Sequence, residues 1–357
     1  MTFASSEGPM ALRVAFDLLV NALGSFGVGA LFAALACAVL RPGPGRRAQL
    51  LWAIPFAKVV VDAAHGIPED AFFWARATGV PHSQGSLRLG FGVAHFFVPE
   101  VQVGLAAATQ RGALESTWAD YAAMFCKKHG APWAPALLAA LVLGVGVALV
   151  ARRLLRLVAG ERSRARLRGH ATLLDVRRLG RARREVEVFL STEHEGAPFT
   201  GGLLRPYVCF PARTFAALSP AEREAALAHE LGHVAGHDLA LFTALGVLRD
   251  ILWFVPGAGA VARRIEASAE HLADRAAVRS GASALDLASA LVRTATLLVA
   301  GKAQATPALA GRGSQLARRV RALTAGAHRA SRSRQIAGAL ACAWVIAAAL
   351  SSTFAGH

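Results

Sequence analysis

The chain has 357 residues, of which 54% are hydrophobic and 17% are charged, and its formal net charge is +16. A typical soluble domain has roughly 25% charged residues, so this composition excludes a disordered or fibrous protein and argues against a single soluble globule. The four cysteines show no CxxC pattern, so they predict neither a cysteine-rich zinc module nor a dense disulfide framework.

Four apolar segments are predicted to cross a membrane as helices, because their lengths approach what is needed to span about 30 Å of hydrocarbon. They are residues 18–40, 48–64, 133–150 and 335–354. The second segment carries Lys58 and Asp62, which are four residues apart and can therefore pair on one helix face. Four such runs in one chain favour membrane insertion over four buried core helices.

Arginines cluster at one end of each predicted span. They are Arg41, Arg46, Arg47, Arg152, Arg153, Arg156, Arg329, Arg332 and Arg334. Under the positive-inside rule, the N-terminus, the loop at 65–132 and the C-terminus then lie outside the cell membrane. The sequence therefore predicts a multi-pass protein of the inner (cytoplasmic) membrane, made without a cleavable signal peptide.

The polar stretch at 151–334 is predicted to be a cytoplasmic domain. Its arginine-dense first part, 151–184, is predicted to form a juxtamembrane helix. Alternation in EVEVFL predicts a strand at 185–190, and YVCF predicts a second short strand at 207–210. A helix is predicted to follow, with Ser219 as its N-cap.

That helix carries the motif HELGH. His229 and His233 are one helical turn apart, so both imidazoles project from one face and can bind a single Zn²⁺. Glu230 is placed to act as the general base for the attacking water. A catalytic zinc needs a third protein ligand, and His237 lies too far along the axis, roughly 12 Å from His229.

Three acidic residues further along the chain can supply that ligand. The segment EASAEHLADRAAV places Glu266, Glu270 and Asp274 on one helical stripe. We choose Glu270 as the third ligand and keep Glu266 as the next candidate. Asp274 is expected to orient a ligating histidine through a hydrogen bond.

The apolar residues 239–260 bear on this choice, because a fifth span there would place Glu270 across the membrane from His229. Arg249 and Asp250 lie near the middle of the segment, and each would cost about 2.5–3.5 kcal/mol at the bilayer centre. The segment is therefore predicted to be a cytoplasmic helix and turn that packs on the catalytic helix or touches the membrane surface.

The segments AHELGHVAGHD, LWFVP and EHLADRAAV together resemble the BlaR/MecR-type family of integral-membrane zinc metallopeptidases. The matching positions are Asp238, Trp253, Phe254, Pro256, Glu270, Ala273 and Asp274. The resemblance implies a mainly α membrane protein with four transmembrane helices. It also implies a cytoplasmic α+β zincin-like (gluzincin) domain between helices 3 and 4, with one zinc per chain and Asp238 as a supporting residue.

The expected division is a transmembrane hairpin at 1–64, an external loop at 65–132, a third helix at 133–150, the peptidase domain at 151–334, and a fourth helix with a short external tail at 335–357. The penicillin-binding sensor domain of antibiotic-sensing relatives is absent from this sequence, so β-lactam sensing by that route is not expected.

The predicted function is zinc-dependent endopeptidase activity on a cytoplasmic protein, which family analogy identifies as a repressor or other regulatory protein. A substrate peptide is expected to add as a strand beside 206–210, against Tyr207, Val208 and Cys209. Besides this substrate the expected partner is the lipid bilayer, which also accounts for the basic charge, and no direct nucleic-acid binding is expected. Self-association into a homo-oligomer is left open.

Three alternatives remain open from the sequence. The ExxAD motif also occurs in HtpX/Ste24-type membrane quality-control proteases. A non-catalytic membrane receptor or scaffold with a structural zinc site is a second alternative. A transporter, based on Asp17 and the Lys58/Asp62 pair, is a third.

Overall fold

The computed structural model describes residues 10–65, 122, 125–131, 133–179, 184–300, 307–325 and 332–351. Most of the predicted external loop at 65–132, the predicted external tail, Arg329 and the side chain of Asp17 lie outside the described residues.

The described residues are mainly helical and include one small sheet. In chain order the elements are α1 (Met10–Leu40), α2 (Arg46–His65), α3 (Ala134–His170), β1 (Thr172–Leu179), β2 (Arg184–Ser191), β3 (Phe199–Gly201), β4 (Tyr207–Pro211), α4 (Ala212–Ala217), α5 (Pro220–Gly236), α6 (Asp238–Ile251), α7 (Ala258–Arg279), α8 (Ala284–Ala300), α9 (Pro307–Thr324) and α10 (Arg332–Ser351).

Within the described ranges, two helices are long and apolar enough to cross a membrane: Leu18–Leu40 within α1, and the whole of α3. Helices α5 and α6 meet the same criterion only as a pair bent by 62° at their junction. The apolar part of α10, Ile336–Leu350, is shorter than a span, and α2 is not among the candidates. The first and third predicted spans are therefore supported, and the second and fourth stay predictions.

The helices α1, α2 and α10 pack together through a cluster that includes Leu51, Ile54 and Cys342. A Cβ on Gly29 of α1 would lie 2.8 Å from the Cα of Pro55, so a glycine is needed where the two helices approach. The predicted pairing within α2 is confirmed, because Lys58 Nζ lies 3.3 Å from a carboxylate oxygen of Asp62.

The sheet has the strand order β1-β2-β4-β3, with β2 and β4 parallel and the two outer pairs antiparallel. The two predicted strands are confirmed as β2 and β4. The prediction of a helix through 151–184 is wrong in its second half, because α3 ends at His170 and β1 follows. Pairing with β2 stabilises β1, as in the cross-strand ion pair of Arg178 and Glu185 at 3.2 Å.

The position of β4 corrects the predicted site of substrate addition. Both edges of β4 are hydrogen-bonded, one to β2 and the other to β3. Tyr207, Val208 and Cys209 are buried in the sheet and its packing clusters. A peptide therefore cannot add beside β4, and β3 is the edge strand of the described sheet on that side.

Helix α5 lies between the sheet and α7. One face packs Leu227 and Val234 against buried residues of β2 and β4. On the other face, a Cβ on Gly232 would lie 3.0 Å from the carbonyl oxygen of Ala273 in α7. This close approach places the HELGH motif directly against the helix that carries ExxAD.

Candidate metal centre

Local interactions fix both ends of α5. Ser219 Oγ accepts the amide of Glu222, and the Glu222 carboxylate accepts the amide of Ser219 at 2.8 Å, so the predicted N-cap is a complete capping box. At the other end His237 has φ 56°, in the left-handed region. The chain turns there into α6, His237 stays exposed, and the carboxylate of Asp238 is directed back at the end of α5.

The structure brings His229, His233 and Glu270 together at the contact of α5 and α7. The two Nε2 atoms are 3.2 Å apart, and each lies 3.6 Å from an oxygen of Glu270. A tetrahedral zinc with bonds of about 2.0–2.1 Å keeps its ligand atoms roughly 3.3–3.4 Å apart. The three side chains therefore fit zinc. Glu266, the alternative ligand, is not part of this cluster.

Two aspartates hold the imidazoles in this orientation. Asp274 Oδ1 lies 2.9 Å from Nδ1 of His229, and Asp238 Oδ2 lies 2.7 Å from Nδ1 of His233. Each histidine thus uses its Nδ1 for a carboxylate and turns its Nε2 toward Glu270. A carboxylate on the far nitrogen is the usual arrangement for a metal-binding histidine, because it fixes both the ring and the tautomer.

Glu230 lies beside the cluster and is anchored to the edge strand. Thr200 of β3 donates its hydroxyl hydrogen to Oε2 of Glu230 at 2.8 Å. The Glu230 carboxylate is buried, and burial raises its pKa above the ordinary value, although the two histidines and Thr200 partly oppose this shift. A carboxylate with a raised pKa beside a metal cluster suits proton transfer.

Sequence reasoning missed Arg319, which α9 places against both carboxylates of ExxAD. Its Nη1 lies 2.7 Å from Glu270 Oε2, while Nε and Nη2 contact the two oxygens of Asp274 at 2.9 and 2.7 Å. Nothing in the local spacing marks this arginine among many others. The usable signal was the acidic stripe itself, because two inward-facing carboxylates need a buried cation.

These contacts shift the pKa values of the histidine and the two carboxylates. Burial alone would lower the pKa of His229, but hydrogen bonds with Asp274 and Glu270 raise it to about 9. Burial would raise the pKa of Glu270, but the His229 hydrogen bond and the Arg319 charge lower it to about 2. The pKa of Asp274 is also lowered, because the bonds from Arg319 and His229 outweigh its burial. The cluster thus favours charged carboxylates.

A cavity of about 610 Å³ opens in front of these groups. The two histidines, Glu230 and Glu270 line one wall. Thr200 and its neighbour Phe199 form the edge-strand side, and the rest is largely apolar. The apolar lining comes from α6 and α8 and includes Leu239, Phe242, Leu287, Leu291 and Leu298. The cavity can hold an extended peptide segment next to the cluster.

The sequence matches a known peptidase family. The family model described as BlaR1 peptidase M56 matches residues 28–323, which is well over half of the chain. The match includes α5, α7 and the part of α9 that carries Arg319. No curated protein matches the sequence.

Proposed function

The chain belongs to the BlaR1 peptidase M56 family, and from this membership we propose that it is a zinc endopeptidase that hydrolyses a cytoplasmic protein. The observation that carries the proposal is the cluster of His229, His233 and Glu270 with Glu230 beside it. The proposal places the protein in the inner membrane, with the peptidase groups on the cytoplasmic side and both termini outside.

Zinc bound by His229, His233 and Glu270 would activate a water for attack and polarise the scissile carbonyl. Glu230 would take the proton of that water and deliver it to the leaving amine. Thr200 would hold the carboxylate of Glu230 toward the cavity through its 2.8 Å hydrogen bond. The two aspartates would keep the histidines in place without touching the substrate, and Arg319, which also lines the cavity, would hold Glu270.

The substrate peptide would pair with β3 instead of β4. Phe199 and Thr200 of β3 both line the cavity, and β3 has its outer edge unpaired within the described sheet. Backbone pairing would hold an extended segment across Glu230 with little demand on its sequence. Family analogy makes a repressor or other regulatory protein the proposed substrate.

The three-ligand cluster favours catalysis over a structural zinc site. A structural zinc is normally closed by four protein ligands, whereas this group has three and faces a cavity. An open coordination position next to a buried carboxylate is what metal-assisted hydrolysis requires.

The test is a pair of matched variants in full-length protein. Glu230→Gln should abolish cleavage of a general protein substrate while the protein keeps about one zinc per chain. Glu266→Gln, on the same acidic stripe but outside the ligand cluster, should leave both unchanged. Full cleavage by Glu230→Gln would overturn the assigned mechanism.

Zinc content tests the ligand set separately. Glu270→Ala should lose most of its zinc, and Glu266→Ala should retain it. Full zinc retention by Glu270→Ala would show that the third ligand is another residue.

A further inference from the structure

Helix α6 runs alongside the part of α3 that is apolar enough to cross the membrane. Arg153 pairs with Asp250 through two contacts, one of which is Nη2 to Oδ1 at 3.1 Å. Further along, a Cβ on Gly146 would lie 3.9 Å from the carbonyl oxygens of Asp250 and Ile251. Trp253 then donates its indole hydrogen to the carbonyl of Val142 at 3.2 Å. The two helices therefore run antiparallel, and α6 proceeds into the span.

The depth of the turn after α6 follows from the helix rise. Val142 is ten residues before Arg152, the first basic residue after the apolar run. At 1.5 Å per residue this is about 15 Å, which is half of the roughly 30 Å hydrocarbon layer. The indole of Trp253 therefore lies at the level of the bilayer middle, provided that α3 crosses the bilayer.

The packing of the turn against α1 and α2 gives a second measure of its depth in the bilayer. Residues around Val255 and Ala258 pack in one cluster with Phe26 of α1 and Phe56 of α2. Phe56 is ten residues after Arg46, where α2 begins, so it also lies about 15 Å along its helix. The turn therefore packs about halfway along α2, which agrees with the depth obtained from α3.

Helix α7 then returns along α2 toward the end at which the turn entered. Arg264 stacks on the ring of Trp52 at 4.1 Å. Further on, a Cβ on Gly45 would lie 3.2 Å from Nη1 of Arg275. Gly45 is just before the start of α2, so α7 has come back to the same end of the membrane helices. Glu270 therefore returns to the side of His229.

The composition of the turn between α6 and α7 is compatible with the hydrocarbon layer of a bilayer. Residues 251–262 (ILWFVPGAGAVA) carry no charge. Their turn satisfies much of its own backbone, as in the bonds from Val255 to Leu252 and from Val261 to Gly257. Ile251 and Trp253 are 49% and 43% exposed, which fits contact with lipid chains. The charges of Arg249 and Asp250 argued against insertion, but Asp250 pairs with Arg153 and also lies 4.0 Å from Arg249, near the entry end.

We propose that residues 245–262 form a re-entrant hairpin that enters the bilayer from the side of the metal centre, reaches its middle at Trp253 and returns on the same side. Its partner is the hydrocarbon of the lipid. The sequence predicted a cytoplasmic helix and turn that packs on the catalytic helix or touches the membrane surface, and the proposal replaces this with insertion to half depth. The candidate metal centre then lies at the membrane surface, where α5 meets the outgoing half of α7.

The test measures the depth of Trp253 in full-length protein reconstituted in nanodiscs. Brominated lipids quench tryptophan, and the bromines are placed either near the chain ends or near the headgroups. The Trp253 signal is the difference between wild type and Trp253→Phe, and Trp253→Tyr is a second subtraction variant that keeps a hydrogen-bond donor. Trp133→Phe gives the control, because Trp133 is exposed at the start of α3.

Trp253 should be quenched most by bromines near the chain ends and little by aqueous iodide, while Trp133 should respond most to bromines near the headgroups. Zinc content of each variant checks that the fold is retained. Strong iodide quenching of Trp253, or a depth equal to that of Trp133, would overturn the hairpin. Neither result depends on peptidase activity.

Discussion

Removal of the Arg319 side chain should weaken zinc binding and destabilise the metal-free protein. The side chain is 14% exposed and contacts Glu270 and Asp274 at 2.7 Å each. Breaking a buried ion pair from one side typically costs about 3–5 kcal/mol, because the remaining charge is left without a partner. Loss of a residue that orients metal ligands typically lowers metal affinity by about 10- to 100-fold. Arg319→Ala should therefore show both effects.

Chelator competition measures the zinc affinity, and thermal unfolding of the metal-free protein measures stability. Arg319→Lys keeps the charge but not the planar fork that reaches both carboxylates, so it should fall between wild type and Arg319→Ala. Arg318→Ala, at the exposed neighbouring position, is the control. Wild-type zinc affinity together with wild-type stability in Arg319→Ala would refute the assigned role.

Three further substitutions test other contacts in the structure. Thr200→Val removes a hydrogen bond of about 1.5–3 kcal/mol to the general base, so kcat should fall roughly 10- to 100-fold with zinc retained, whereas Thr200→Ser should stay near wild type. Gly232→Ala forces α5 and α7 apart and should destabilise by about 1–3 kcal/mol in denaturant unfolding, while Gly160→Ala, with open space around it, should not. Burial would raise the pKa of Glu222, but bonds from nearby serines and Arg293 lower it. The ionised Glu222 carboxylate therefore stabilises the fold above the ordinary glutamate pKa of about 4.3. This stabilisation is lost as the pH falls through the lower pKa that Glu222 has in the folded protein. Metal-free Glu222→Gln should be about 1 kcal/mol less stable than wild type at pH 7, with the gap closing in acid; an unchanged gap would contradict this assignment.

The parts of the site that sequence alone predicted are those fixed by local spacing. The capping box of Ser219 and Glu222 sets the start of α5, and the helical repeat then puts His229 and His233 on one face. The spacing of Glu270 and Asp274 on α7 is equally local. Each of these features depends only on residues within a few helical turns, so the sequence spacing alone predicts where the side chains lie.

The parts that sequence did not predict depend on contacts between distant segments. Arg319 reaches Asp274 across 45 positions, and Thr200 reaches Glu230 from a turn-rich segment 30 positions earlier. Strand β1 exists because β2 pairs with it, and the arginine density of its surroundings suggested a helix instead. The placement of β4 inside the sheet likewise depends on β3, a strand of only three residues.

The ligands of the candidate metal centre lie on two helices that are anchored to different parts of the fold. Helix α5 is fixed to the sheet, and the sheet is joined to α3 by the 2.9 Å ion pair of Arg164 and Glu187. Helix α7 is fixed to α2 along its length, from the stacked pair at Trp52 to the close approach at Gly45. The distance between the histidines and Glu270 is set where α5 and α7 pack directly on each other at Gly232, and each of these two helices is anchored to a different long helix. Local motifs supply the ligands, but packing between distant helices completes the site.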